Sequence, residues 1–146
     1  MKQTLIIGYG NTLRSDDGAG QTVAKAFFDQ ENIMAIATHQ LTPELVEDLV
    51  QVEQVYFIDA APVETVTIKP IKRRDNEHNF GHFIDPKSLL NLAQEIYHYV
   101  PDAYFVLIPA RNFELGESYS EITQNAIQTA IQLLQEQVIP CMKSQL

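Results

Sequence analysis

Near its start the chain reads TLIIGYGNTLRSDDGAG, which covers residues 4–20. The apolar run that opens this stretch ends in Gly8, a pattern typical of a short buried strand. From about Ser15 helical spacing takes over, and Ser15 or Asp16 is the expected N-cap. The apolar face of this predicted helix comprises Ala19, Val23, Ala26 and Phe27. A buried strand, a glycine-containing loop and a helix in this order are typical of the opening unit of an α/β fold.

The rest of the chain continues the alternation of strand and helix. Apolar runs predict four further strands, at residues 33–37, 55–58, 65–69 and 104–108. Capping residues predict helices that begin after Thr42, Asp85 and Ser120. The predicted fold class is therefore α/β, with three layers: a twisted, mainly parallel five-stranded sheet and helices on both of its faces. We expect residues 1–146 to form a single domain.

Composition excludes several classes of protein. The single cysteine, Cys141, cannot form an internal disulfide or a cysteine-based zinc cage. Ten Lys or Arg against nineteen Asp or Glu give a formal net charge of −9, which opposes binding to a nucleic-acid backbone. No apolar run approaches the ~18–20 residues of a membrane span. We therefore expect a cytoplasmic protein in a reducing compartment, with neither nucleic-acid nor membrane partners.

Acidic side chains follow two of the predicted strands. Asp16 and Asp17 lie in the loop after the first strand, and Asp59 directly follows the apolar run 55–58. Ligands of parallel sheets bind outside the carboxyl ends of the strands, so these acids are expected to share one crevice. His82 precedes the third predicted helix and could reach the same crevice. Two carboxylates and one imidazole suit a divalent transition-metal ion with open coordination positions.

These residues also have ordinary structural interpretations. Asp16 and Asp17 could simply favour the dipole at a helix N-terminus. Asp59 fits that explanation less well, because a carboxylate at the end of a buried strand is costly unless it has a partner. His82 is a single loop histidine. His39 is another, although it ends the second strand and so could line the crevice.

The sequence lacks the motifs of several other kinds of site. The dinucleotide-binding pattern Gly-x-Gly-x-x-Gly requires a third glycine where Leu13 stands, and no Gly-Lys-Ser/Thr of a P-loop follows. Neither a Gly-x-Ser-x-Gly elbow nor a His-Glu-x-x-His helix is present. Cys141 has no histidine partner nearby in the sequence and is interpreted as a bystander. Of the kinds of catalytic site considered, the one that remains is based on carboxylates.

The same residues carry a resemblance to a known family. The stretch from Ile6 to Gly20, with its Gly-x-Gly-Asn-x-Leu-x-x-Asp-Asp-Gly-x-Gly pattern, resembles the hydrogenase maturation endopeptidases. The resemblance continues through residues 58–60 and His82 to the segment 113–120, and covers essentially the whole chain. It implies a twisted sheet with helices on both faces, in agreement with the fold predicted from the residues.

The resemblance also implies an activity. Members of this family remove a C-terminal extension from the large-subunit precursor of nickel–iron hydrogenases after nickel has been inserted. By position, the metal contacts fall on Asp17, Asp59 and His82, and Asp17 and Asp59 are the expected catalytic residues. The nickel is expected to be recognised on the substrate, with no metal held tightly by the free protein, which is expected to be a monomer. Residues 37–40 replace an Asp-Gly-Gly stretch found in many members, which leaves open which hydrogenase is processed.

Two alternatives remain on the sequence alone. The protein could be a non-catalytic module that binds the precursor or its metal without cutting it. A nucleotide-binding α/β domain is less strongly indicated. A cleavage assay on the precursor separates all three interpretations.

Overall fold

The computed structural model describes residues 3–72 and 84–143, with side chains described as far as residue 138. These residues contain five strands: β1 (Thr4–Tyr9), β2 (Ile33–Thr38), β3 (Gln54–Ala61), β4 (Thr67–Pro70) and β5 (Asp102–Pro109). They contain four α-helices: α1 (Ala19–Lys25), α2 (Val46–Leu49), α3 (Pro86–Tyr97) and α4 (Glu121–Lys143). Two 3₁₀ turns, Ser15–Gly18 and Pro43–Leu45, lead into α1 and α2.

All five strands belong to one sheet, in the order β2-β1-β3-β5-β4. β1 pairs in parallel with both β2 and β3, and β3 pairs in parallel with β5. The edge strand β4 runs antiparallel to β5 and ends at Pro70, which has no N–H to extend the ladder. The predicted five-stranded, mainly parallel sheet is thus confirmed.

Apolar side chains cover both faces of this sheet. On one face, α1 and α4 bury residues such as Val23 and Leu134 against the strands. On the other face, α2 and α3 do the same with residues such as Leu49. Strand residues alternate between the two cores, since Ile6 belongs to the first and its neighbours Leu5 and Ile7 to the second. The three-layer arrangement is therefore confirmed as well.

The predicted starts of α3 and α4 agree with the structure, whereas α2 begins only at Val46, after a 3₁₀ turn, and the Thr42 side chain makes no capping hydrogen bond. Asp85 caps α3, because its side chain accepts a 2.8 Å hydrogen bond from the backbone N–H of Ser88. Thr42 precedes the turn into α2 in an extended conformation, and Ser120 directly precedes α4. None of the helices in residues 3–72 and 84–143 combines the length and apolar character needed to cross a bilayer.

The predicted start of the first helix is wrong. The helix begins at Ala19, because Ser15–Gly18 form a 3₁₀ turn and Ser15 has a φ of 53°. The side chains expected to cap it bond instead to a loop about one hundred residues further along the chain. Since α1 ends at Lys25, Ala26 lies beyond it and is exposed, and Ala24 takes the buried position.

The third strand is longer than predicted. It continues through Asp59 to Ala61, because β5 offers pairing partners as far as Pro109. Asp59 is therefore a residue of the strand, opposite Leu107, and does not follow the strand as the sequence suggested.

Candidate active site

The candidate site lies where the order of the strands reverses. From β1 the chain goes outward to β2 and then returns to β3 on the other side of β1. Such a switch point leaves a crevice outside the carboxyl ends of the two central strands. A cleft of about 360 Å³ lies there, and its polar lining consists of Asn11, Asp17, His39, Gln40, Asp59 and Asp85. The prediction that the acids after β1 and in β3 meet at one crevice holds for Asp17 and Asp59.

Glycines bring the loop after β1 close to the sheet. A Cβ atom on Gly8 would overlap the carbonyl oxygen of Gly20, and a Cβ on Gly20 would overlap that of Ile58. The start of α1 therefore packs directly on the backbones of β1 and β3. Gly10 has a φ of 143°, which L-residues rarely adopt, and a Cβ there would overlap the carbonyl of Asp17. This close packing sets the position of Asp17 at the cleft.

Asp17 is held by the same loop that carries it. Its Oδ2 atom accepts a 2.7 Å hydrogen bond from the backbone N–H of Asn11. The Asn11 side chain in turn accepts from the N–H of Leu13, and the N–H of Gly10 donates to the carbonyl of Thr38. These loop amides already have partners, so they are not arranged to cradle a phosphate as a nucleotide-binding loop would be.

The environment of Asp59 opposes the ionisation of its carboxyl group. Burial, followed by the negative charge of Asp17, raises the pKa of Asp59 from 3.8 to about 6, although hydrogen bonds from the Ala60 amide and the Tyr9 hydroxyl oppose the shift. No Lys or Arg appears among the described residues that line the cleft. Two neighbouring carboxylates with no cationic side chain among the described lining residues form a site where a bound cation would relieve the repulsion.

Tyr9 is a site residue that the sequence reasoning missed. Burial, and then the charges of Asp59 and Asp85, raise the pKa of the Tyr9 hydroxyl, so it remains a neutral donor to Asp59. Its position as the last residue of β1 was a usable signal, because the carboxyl ends of parallel strands border the crevice. Asp85 was predicted only as a helix cap, yet it lines the cleft while it caps α3.

Asp16 points away from the cleft and has a structural role. Its side chain is fully buried and accepts four hydrogen bonds of 2.7–2.8 Å. The donors are the backbone N–H groups of Arg111, Asn112 and Ser120, and the Ser120 hydroxyl. Burial opposes ionisation, but these bonds outweigh it and lower the pKa of Asp16 from 3.8 to about 2. Asp16 therefore fixes the loop after β1 to the loop after β5.

The predicted histidine ligand cannot be placed. His82 lies outside the described residues, as does the side chain of Cys141. The described chain resumes at Ile84, which lines the cleft, two residues after His82 in the sequence. His39 does line the cleft and is exposed. Among the described residues, no three His, Cys, Asp or Glu side chains are grouped closely enough to hold a metal ion by themselves.

Solved structures share this fold over nearly the whole chain. The nickel–iron hydrogenase maturation protease HycI of Thermococcus kodakarensis superposes with a TM-score of 0.72 at 18% identity, covering 92% of this chain and 91% of that one. The hydrogenase 2 maturation peptidase of Thaumarchaeota archaeon SCGC_AB-539-E09 gives 0.71 at 21% identity, over 94% and 98% of the two chains. The hydrogenase maturating endopeptidase HybD of E. coli gives 0.71 at 14% identity, over 95% and 93%.

At these identities the likeness establishes a common fold. The fold that the family resemblance implied is thereby confirmed. The sequence itself matches no protein-family model and no curated protein sequence.

Proposed function

We propose that this protein is an endopeptidase that removes the C-terminal extension of a nickel–iron hydrogenase large-subunit precursor after nickel insertion. The observation that carries the proposal is the pair Asp17 and Asp59, which line one cleft at the switch point of the sheet. The fold around that pair is shared with structures described as hydrogenase maturation proteases. The proposed substrate is a precursor protein that carries nickel and loses a segment at its C-terminus.

The two carboxylates suit an ion delivered by the substrate. Asp17 accepts a hydrogen bond on Oδ2, whereas its Oδ1 atom accepts none from the described residues and could contact an ion. Asp59 contributes a second carboxylate. Its surroundings oppose ionisation and raise its pKa to about 6 in the metal-free protein. We propose His82 as the third contact, on the basis of the family resemblance. A site with oxygen donors and without thiolates would hold nickel weakly, and so would release it with the processed subunit.

The proposed chemistry is hydrolysis with carboxylate assistance. Anchoring the precursor through its metal would place the scissile peptide in the cleft, and such positioning can supply ~7–11 kcal/mol of barrier reduction. A carboxylate at the cleft can act as a general base towards water, a role that does not fit Asp16, which is buried under four hydrogen-bond donors. The ion would contribute by polarising the peptide carbonyl.

The proposal is tested by cleavage of the precursor in two forms. Purified protein is incubated with nickel-loaded and with nickel-free precursor, and the C-terminal cut is followed by mass spectrometry. We expect cleavage of the loaded form only, and loss of cleavage in Asp17→Asn and Asp59→Asn. Asp102→Asn is the matched control, because Asp102 is an exposed carboxylate at the opposite end of the sheet, where β5 begins.

The possible results separate the open alternatives. Equal cleavage of both precursor forms would show that nickel is not what is recognised. Binding of the precursor without any cut would favour a non-catalytic module. Full activity of Asp17→Asn would show that the ligand assignment is wrong.

A further inference from the structure

Three large apolar side chains are exposed on the two loops beside the cleft. Leu13, in the loop after β1, is 57% exposed, and Phe113 and Leu115, in the loop after β5, are 42% and 78% exposed. We call these three residues the apolar rim. Exposed apolar residues scattered singly are ordinary, but a local group of them marks an interaction surface.

The backbone fixes the two loops side by side. Arg14 and Gly116 form a parallel bridge, in which the N–H of Gly116 donates to Leu13 and the N–H of Ser15 donates to Gly116, at 2.9 and 2.8 Å. Leu13 and Leu115 each precede one member of the bridged pair, so the two residues lie opposite each other on the two loops. The Ser15 hydroxyl adds a 2.8 Å bond to the carbonyl of Glu114. The apolar rim is thus a preformed surface.

The apolar rim lies on the loops that carry and anchor residues of the cleft. Leu13 lies between Asn11 and Asp17 in the chain, and both of these residues line the cleft. On the other loop, the amides of Arg111 and Asn112 are bonded to Asp16, the neighbour of Asp17. One of the two loops that carry the apolar rim thus also carries Asp17, and the other is fixed to the neighbouring residue Asp16.

The size of the cleft indicates what covers this surface. About 360 Å³ accommodates a few residues of an extended peptide. The proposed substrate is a folded protein, so nearly all of it must remain outside the cleft, against the surface that adjoins it. A preformed apolar surface at that place suits the folded body of such a substrate.

We propose that the apolar rim is the surface on which the folded body of the precursor docks while its C-terminal segment occupies the cleft. This inference rests on the proposed function, because it requires a protein substrate cut near its terminus. The partner surface is apolar and lies beside the C-terminal segment of the precursor. Docking contributes affinity, whereas Asp17 and Asp59 contribute the reaction.

The test is a steady-state comparison on the nickel-loaded precursor. We expect the double variant Leu13→Ser/Leu115→Ser to raise KM about tenfold and to leave kcat within about twofold. Leu115→Glu, at the most exposed position, is expected to act in the same direction. Phe28→Ser is the matched control: Phe28 is 53% exposed but lies between the end of α1 and the start of β2, at the end of the strands opposite to the cleft, and the KM of this variant is expected to be unchanged. Thermal unfolding of each variant confirms that it is folded.

The outcomes distinguish this inference from the function on which it rests. If the wild-type protein cuts the precursor and KM is unchanged in folded rim variants, the docking surface is wrong and the endopeptidase stands. If Phe28→Ser raises KM as much as the rim variants do, the effect is not specific to the apolar rim and the inference is likewise wrong. If the wild-type protein does not cut the precursor, the proposed function fails, and this inference fails with it.

Discussion

The carboxylates of Asp16 and Asp17 are neighbours in the chain but lie in different surroundings. Asp16 is buried under four hydrogen-bond donors, and its pKa is lowered to about 2. Asp17 faces the cleft and accepts one bond from Asn11. A buried carboxylate with this many donors stabilises the fold, because removing it leaves several backbone N–H groups without partners. A carboxylate at the cleft has less to contribute to stability and is available for chemistry.

This difference predicts that one of two adjacent substitutions lowers stability and that the other abolishes cleavage. Asp16→Asn replaces one acceptor oxygen by a donor among N–H groups, and is expected to lower the free energy of unfolding by about 2–4 kcal/mol. Asp17→Asn is expected to change it by less than ~1 kcal/mol and to abolish cleavage. Urea unfolding at pH 7 measures both values. A stable Asp16→Asn protein would contradict the structural role of Asp16.

The ionised carboxylate of Asp59 is predicted to lower the free energy of unfolding. Its folded-state pKa of about 6 exceeds the ordinary value of 3.8, so the folded chain keeps this proton to a higher pH than the unfolded chain does. The penalty is absent below about pH 4 and complete above about pH 6. Asp59→Asn is therefore expected to raise the free energy of unfolding at pH 7.5 by about 1–2 kcal/mol, and to give a smaller gain at pH 4.5.

Urea unfolding of the metal-free protein at the two pH values measures this gain, and the cleavage assay on the same variant measures the loss of activity. Greater stability together with lost cleavage is the pattern of a residue kept for function. A variant that is less stable than the wild type at pH 7.5 would show that Asp59 is a structural residue.

Helix α1 owes its position to two glycines rather than to side-chain packing at its start. Gly8 in the strand and Gly20 in the helix meet face to face, and Gly20 also lies against Ile58 and Tyr9. In dinucleotide-binding domains a glycine of the loop permits close contact of helix and strand. Here that loop position is Leu13, and the contact is made possible by a glycine of the helix itself.

Gly20→Ala is predicted to displace this helix. The added Cβ would overlap the carbonyl oxygen of Ile58 and lie 2.9 Å from that of Tyr9, and backbone atoms cannot move aside cheaply. We expect a loss of ~2 kcal/mol or more in the free energy of unfolding, and reduced cleavage because Asp17 moves with the helix. Lys25→Ala, at an exposed position of the same helix, is the control and is expected to be neutral within ~0.5 kcal/mol. Wild-type stability in Gly20→Ala would refute the close contact.

The elements that sequence predicted best are those defined by local patterns. Apolar runs placed the buried strands, and Asp85 with Pro86 placed the start of α3. The roles of Asp16 and Asp17 could not be separated in this way, because the donors that bury Asp16 lie 95 to 104 residues away in the chain. The extension of β3 past Ile58 likewise depends on pairing with β5. The sequence of β3 alone does not reveal that pairing.

At the scale of the whole molecule, the 16.5 kDa chain is predicted to be a monomer. With a formal net charge of −9 the chains repel one another, and the apolar rim is a small surface compared with a stable dimer interface. Sedimentation equilibrium at micromolar concentration is expected to give the mass of one chain. A dimer that the substitution Leu13→Ser/Leu115→Ser dissociates would contradict this prediction and would assign the apolar rim to self-association.

The bonds of Asp16 to residues 111–120 also bear on how the chain is synthesised. During translation the Asp16-Asp17 pair leaves the ribosome long before Ser120, the last of the donors that hold it, so the loop around the pair cannot adopt its final form until some hundred further residues have followed. A nascent chain therefore carries Asp17 before the loop that places it at the cleft has its final geometry. The geometry of the cleft is in this way tied to the completion of folding.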